Sequence, residues 1–178
     1  MTSLPLIFRK LVSTEERSEF VAMLPDDWSE ELEWWMSLHS GEPDLYGVYY
    51  DSGSNEENIR LEAGRIGEED LQEARLIGGG AVFKESNPPE SHSFEKECRR
   101  RLAAGQPYIG FLWVSPGFRG LGVGQFWLGE LIELNPATCY WLTVEDPSLI
   151  EFYEKSGFKL FKKFKGEEGP EWLLSTNG

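Results

Sequence analysis

The chain is poor in the residues that most metal and nucleophile chemistry requires. Only two cysteines, Cys98 and Cys139, and two histidines, His39 and His92, occur among its 178 residues. The cysteines lack the short paired spacing of a metal site and read as unpaired thiols of a reducing compartment. Isolated histidines assemble neither a metal cluster nor a Ser-His-Asp triad, so no metal is expected. No apolar run approaches the ~20 residues of a membrane span; the longest is about Tyr108 to Ser115. Leu4 to Phe8, ahead of Arg9-Lys10, is too short for a secretory h-region, which leaves a cytoplasmic location as the expectation. Positive charge is scarce as well. With 17 Lys/Arg against 31 Asp/Glu the net charge is −14, whereas a protein that grips nucleic acid needs a basic face.

What is present suits a single globular domain over residues 1–178. Hydrophobic residues at 40% and aromatics at 13% can fill one core of this size. The acidity is uneven: residues 1–107 carry 11 Lys/Arg against 22 Asp/Glu, and residues 108–178 carry 6 against 9. A strongly acidic half beside a nearly balanced one suits an enzyme with one anionic and one cationic substrate, although acidity also serves solubility.

Along the chain, Leu6 to Val12 reads as a strand. Ser13 and Glu16 carry the two halves of a capping box opening a helix with Phe20, Val21 and Leu24 on its apolar face. A second helix begins at Ser29, and Leu45 to Tyr50 is a strand. Residues 51–73 read as an inserted polar loop with a short helix around Glu69 to Glu73. Leu76 to Phe83 is a strand whose Gly78-Gly79-Gly80 marks close approach of another backbone or a bulge. A second long connection, 86–107, contains a helix from Phe94 to Ala104. Then follow strand Tyr108–Val114, helix Gly120–Leu134, strand Cys139–Val144, helix Pro147–Lys155 and strands Phe158–Phe164 and Trp172–Ser175. Asp146 caps the last helix and Gly157 ends it.

The densest chemical signal is Arg119-Gly120-Leu121-Gly122-Val123-Gly124, between a strand and an amphipathic helix. Alternate glycines leave backbone N–H groups uncovered at the positive end of a helix, a site for phosphate, with Arg119 as a neighbouring cation. The nucleotide P-loop is excluded, because Gln125-Phe126 stand where it needs Lys-Ser or Lys-Thr. The dinucleotide fingerprint lacks its third glycine at Gln125, and the arginine before the loop also counts against it, although Glu145 lies near the position of its ribose acid.

Arg119-x-x-Gly122-x-Gly124, preceded by Leu112-x-Val114-x-Pro116, resembles the acyl-CoA loop of the GNAT superfamily of N-acyltransferases. About thirty residues on, Asp146 to Phe158 is similar to that family's Asn-x-x-Ala-x-x-Phe-Tyr-x-Lys-x-Gly-Phe helix, with Phe152-Tyr153-x-Lys155-x-Gly157-Phe158 matching. Motif resemblance covers roughly residues 105–175. It implies an α/β fold with a mixed, mostly antiparallel central sheet, flanked by helices and splayed between two central parallel strands.

The resemblance further implies acetyl-CoA as co-substrate. Backbone groups of Leu112, Trp113 and Val114 would take the pantetheine and thioester, and Arg119, Gly120, Leu121, Gly122, Val123 and Gly124 the pyrophosphate. Tyr153 would be the proton donor to the CoA sulfur. A phenol near pKa 10 giving a proton to a thiolate near 8.5 is uphill by about 2 kcal/mol unless its pKa is lowered. Asp146 stands where the family has asparagine and Leu149 where it has alanine, so Asp146 caps a helix but offers no amide, and Leu149 narrows the space near the cofactor. The strand before the loop holds no carboxylate for a general base. Glu145, or Glu30, Glu31 or Glu33, could serve, as could a chain of water.

The first two helices of that fold form the acceptor wall. Here Asp26 to Trp35 interleaves five acids with Trp28, Trp34 and Trp35. Trp28, Glu31, Trp34 and Trp35 are therefore the acceptor-binding candidates, and the acceptor expected is a cationic amine. The leading reading is an N-acetyltransferase acting in a ternary complex, as monomer or homodimer. The alternative is a catalytically silent acyl-CoA sensor, with a nucleotide-dependent oxidoreductase a distant third.

Overall fold

A computed structural model describes residues 4–38, 42–51, 74–85, 93–165 and 169–176, without the side chains of 34–38 and 93–95. The loop 51–73, apart from Asp51, and its expected helix around Glu69 therefore lie outside the described residues. Among the described residues, seven strands form one sheet: β1 (Leu6–Lys10), β2 (Asp44–Tyr50), β3 (Arg75–Phe83), β4 (Tyr108–Val114), β5 (Trp141–Val144), β6 (Lys159–Lys165) and β7 (Pro170–Ser175). They lie in the order β1-β2-β3-β4-β5-β7-β6. Every neighbouring pair is antiparallel except β4 and β5. Between those two the chain crosses over through helix α4 (Val123–Leu134), which is the connection a parallel pair requires.

Helix α1 (Thr14–Met23) starts as its sequence dictates. Ser13 Oγ accepts the Glu16 N–H at 3.1 Å, and Glu16 Oε2 accepts the Ser13 N–H at 3.1 Å. After Pro25, helix α2 runs Asp26–Leu38, three residues earlier than the reading from Ser29. Asp26 and Asp27 in its first turn complement the positive end of the helix. Helix α3 (Ser93–Ala103) fills the second long connection. The expected helix Pro147–Lys155 divides into a 3-10 turn, Pro147–Leu149, and the short α5 (Ile150–Glu154). The cause is local: Asp146 Oδ1 accepts the N–H of Ser148, only two residues on, which closes a tight turn. Gly157, at φ 90°, ends the segment.

Alternation along the strands gives the sheet two apolar faces. On one, α1 and α2 pack through Phe20, Leu24 and Leu32 against Leu45, Tyr49, Leu76, Ala81 and Phe83. Beyond them, Cys98 of α3 packs on Trp141, Phe164 and Leu173. On the other face, Trp127, Leu128 and Leu131 of α4 meet Val48, Ile77, Val82, Leu142 and Leu174. The glycines of β3 serve these contacts. A Cβ on Gly79 would lie 2.7 Å from the Tyr46 carbonyl oxygen and 2.9 Å from the Phe20 ring, and one on Gly80 2.7 Å from the Trp127 indole. Backbone approach thus accounts for only part of the glycine run, and two aromatic rings for the rest.

Candidate functional site

Strands β4 and β5 share a single registered pair, Tyr108 with Trp141, and diverge beyond it. Phe111, at φ 55°, is the one non-glycine residue with positive φ among the described residues. There β4 advances from Gly110 to Trp113 while β3 moves only from Ala81 to Gly79, so β4 carries an extra, bulged residue. A bulge bends its strand, and this one sits where β4 parts from β5. Past the bulge, the Ser115 N–H donates to Ile77 O at 2.8 Å. By the alternation of an antiparallel ladder, the N–H and C=O of Val114 turn away from β3 into the opening. The side chains of Leu112 and Val114 meanwhile pack into the α4 core.

The loop that follows is shaped for conformation rather than packing. Gly120 and Gly122 hold φ of 76° and 83°, and a Cβ on either would meet no atom of the described residues within 4 Å. Gly122 is the N-cap of α4, so the helix begins at Val123, three residues later than read from the sequence. Its first N–H groups therefore emerge beside two uncovered glycines. The third glycine differs: a Cβ on Gly124 would lie 2.9 Å from Phe152 Cζ, so Gly124 seats α4 against α5. Val123 is buried beside it and Leu121 half-buried. Arg119 lies across the end of β4, its Nε donating to Val114 O at 3.0 Å and its guanidinium 4.3 Å from the centre of the Trp113 ring.

Because β4 and β5 are parallel, the turn after β5 shares this end of the sheet. Glu145 and Asp146 are both exposed there. The backbone N–H of Ser148 holds the Asp146 carboxyl below its ordinary pKa. Leu149 is 42% exposed. Tyr153 on α5 is half-buried, edge-on to Phe152 (4.9 Å) and Phe158 (5.9 Å). Desolvation pushes its phenol up to about 12. The pKa is raised, not lowered, so transfer to a thiolate near 8.5 is uphill by some 5 kcal/mol in the free protein.

On the opposite face Trp28 stands edge-on to Phe111 (6.1 Å) and Trp113 (5.5 Å). The Trp113 indole N–H is buried and has no hydrogen-bond partner among the described residues. Glu31, one turn beyond Trp28, is exposed. Tyr108 packs at a tilt against Trp141 (4.8 Å) and Phe83 (5.9 Å), with its hydroxyl 3.5 Å from Thr143 Oγ1. Burial pushes the Tyr108 phenol up, and the Glu31 and Glu171 carboxylates push the same way. Trp34 and Trp35 belong to α2, but their side chains lie outside those described. The structure thus brings Trp28, Trp113, Val114 and Arg119 together around the opening. Tyr108, Phe111 and Thr143, which sequence reasoning passed over, border it too. The signal for Tyr108 was Gly110 beside it: a Cβ there would lie 3.1 Å from the Tyr108 ring.

A mixed sheet opened between parallel strands, with a glycine-shaped helix N-terminus at the mouth, defines an α/β acyltransferase architecture. The acetyltransferase (GNAT) family model matches residues 10–158, and the chain belongs to that family. Solved structures agree over nearly the whole chain. Escherichia coli ElaA is 15% identical, with 96% of this chain and 98% of that one covered at a TM-score of 0.56. Arabidopsis thaliana Naa50, solved with the bisubstrate analogue CoA-Ac-MVNAL, is 14% identical, with 97% and 99% covered at 0.54. An aminoglycoside 6′-N-acetyltransferase complexed with coenzyme A is 12% identical, with 95% of each covered at 0.55. At these identities the likeness is one of fold. No curated protein matches the chain.

Proposed function

We propose that this protein transfers an acetyl or similarly short acyl group from acetyl-CoA to a primary amine by direct attack in a ternary complex. One observation carries the reading. The gap-facing backbone of Val114 leads within one short loop to the left-handed Gly120 and Gly122 at the start of α4. A pantetheine arm lying along β4 as an added strand would have its pyrophosphate at that helix N-terminus. Leu112 and Val114 supply backbone groups to the arm and thioester, whereas the Trp113 backbone, one residue along the ladder, turns to Gly79 of β3 and is not available to them; residues 119–124 supply donors and charge to the phosphates. The Arg119 guanidinium, already docked at the mouth, adds a fixed cation.

Tyr153 serves the departing sulfur. With its pKa near 12 it stays protonated throughout the physiological range and acts as a hydrogen-bond donor to developing thiolate rather than as a free proton source. Glu145 is the general base in this reading, reached through water. The acceptor is a cationic amine, received between Trp28 and Glu31 on α2, with Trp34 and Trp35 on the same helix. Facing Trp28 are Phe111 and Trp113 of β4, which supports an aromatic wall suited to an ammonium group.

The test crosses a thermal-shift screen of CoA esters with an amine panel, following free thiol. Stabilisation by acetyl-CoA and amine-dependent thiol release support the enzyme. Stabilisation with no release under any amine makes the domain a sensor, and no stabilisation by any CoA ester refutes the site.

A further inference from the structure

We propose that the Tyr108 phenol, reaching along β4 and across to Thr143 of β5, is the floor of the acyl pocket and limits the donor to acetyl and its nearest homologues. The inference rests on the acyl-CoA reading above and adds to it the residue that sets chain length. Where two strands splay, the space between them deepens toward their last shared pair, here Tyr108 and Trp141. An acyl group held at the thioester level would find that space open to any length unless a side chain closed it.

Tyr108 closes it. Its ring does not stay at the level of its own Cα. It leans along the strand until its edge lies 3.1 Å from where a Cβ on Gly110 would stand, and its hydroxyl arrives 3.5 Å from Thr143 Oγ1, two residues up β5. Trp141 and Phe83, with ring centres 4.8 and 5.9 Å away, brace the ring. The glycine at 110 is what makes room for this lean, since any side chain there would drive the ring aside. The floor therefore stands at the level of Gly110, two residues below Leu112, the innermost β4 residue whose backbone takes the arm and thioester in the proposed complex.

The bulge shortens this step: Gly110 to Trp113 covers only the two residues from Ala81 to Gly79 of β3, about 6–7 Å, so Gly110 to Leu112 covers less. Carbon atoms in contact need about 3.5–4 Å of this. What remains is at most about 3 Å, no more than one or two carbon–carbon bonds at about 1.5 Å each. Acetyl fits with room for little more, and a six-carbon chain does not.

The experiment measures calorimetric affinities of CoA, acetyl-CoA, butyryl-CoA and hexanoyl-CoA for the full chain and for Tyr108→Ala, Tyr108→Leu, Tyr108→Phe and Thr143→Ala, each checked for a cooperative melt. The parent should bind hexanoyl-CoA at least about tenfold more weakly than acetyl-CoA, the discrimination that an extra methylene meets in a closed pocket. Tyr108→Ala should abolish that preference. Tyr108→Leu and Thr143→Ala should relax it in part, and they carry the test if the alanine variant at 108 does not fold. Tyr108→Phe should keep the parent's ranking, because the ring rather than the hydroxyl fills the space. A parent indifferent to chain length, or folded Tyr108→Ala and Tyr108→Leu variants with the parent's ranking, would overturn the floor while leaving the acyl-CoA site standing. A parent that binds no CoA ester would overturn that site and the floor with it.

Discussion

The indole of Trp127 packs against Gly80, so that a Cβ on the glycine would stand 2.7 Å from its Cζ2 and 3.0 Å from its Cη2. Trp127 is fully buried, and its Nε1–H donates to Tyr46 O at 2.9 Å, so the ring cannot easily shift away. Gly80→Ala should therefore destabilise the fold by about 1–3 kcal/mol, as overpacking does where neither partner can move away. Urea unfolding checks this, and an unchanged midpoint would mean that α4 shifts freely on the sheet.

Gly122→Val should remove CoA binding while leaving most of the fold. The residue sits at φ 83° with no described residue near a Cβ, so the cost is backbone strain and a blocked approach for phosphate, with no packing lost. Strain for one non-glycine residue there is about 1–2 kcal/mol. Calorimetry with acetyl-CoA, beside a thermal melt, separates the two effects. Parent-like affinity would show that the phosphates bind elsewhere.

Tyr153→Phe should keep CoA affinity and lower turnover by about 10²-fold, the low end for a positioned acid. The raised phenol pKa has a signature of its own. Because the folded-state value lies near 12 and the unfolded one near 10, the phenol keeps its proton longer when folded. Stability is thus unaffected by this group below pH 10 and falls as pH rises from 10 to 12. For the same reason any alkaline limb in the rate below pH 10 belongs to another group, and it should persist in Tyr153→Phe. Its disappearance in that variant would return the limb to Tyr153.

Acceptor recognition predicts a salt effect. With carboxylates around Trp28, activity toward cationic amines (a polyamine, an aminoglycoside-like molecule, a lysine- or N-terminus-bearing peptide) should fall as ionic strength rises, since exposed charges are screened beyond about 8 Å at physiological salt. Glu31→Gln should raise the acceptor KM and leave CoA affinity unchanged. Trp28→Ala should do the same, at some loss of stability because its ring packs edge-on to Phe111 and Trp113. A best substrate that is neutral or anionic, insensitive to salt, would defeat this acceptor assignment.

Local chemistry written in adjacent residues determined much of the molecule. Ser13 and Glu16 specify the start of α1, because a capping box needs only four consecutive residues. Asp146 and Gly157 bound the turn-and-helix after β5 for the same reason, and the order of strands and helices follows the periodicity of apolar residues. The positive φ of Gly120 and Gly122 was implicit in the glycines themselves, since the loop conformation is one that other residues avoid.

Tertiary structure alone decided the rest. Gly124 belongs to the same run of glycines, yet it serves Phe152 from α5 some thirty residues away, a contact no local pattern records. The bulge at Phe111 falls on a residue whose type disfavours it, because the antiparallel pairing with β3 and the departure from β5 together impose it. Tyr153 reads from sequence as a titratable donor, and only the packing of Phe152 and Phe158 around it removes enough water to raise its pKa. Tyr108 looks like an ordinary strand residue until β4 and β5 part above it and leave its ring and Thr143 to close the space between them. Capping and glycine conformation depend on neighbours in the chain, whereas desolvation, bulging and the shape of a cleft depend on segments that only folding brings together.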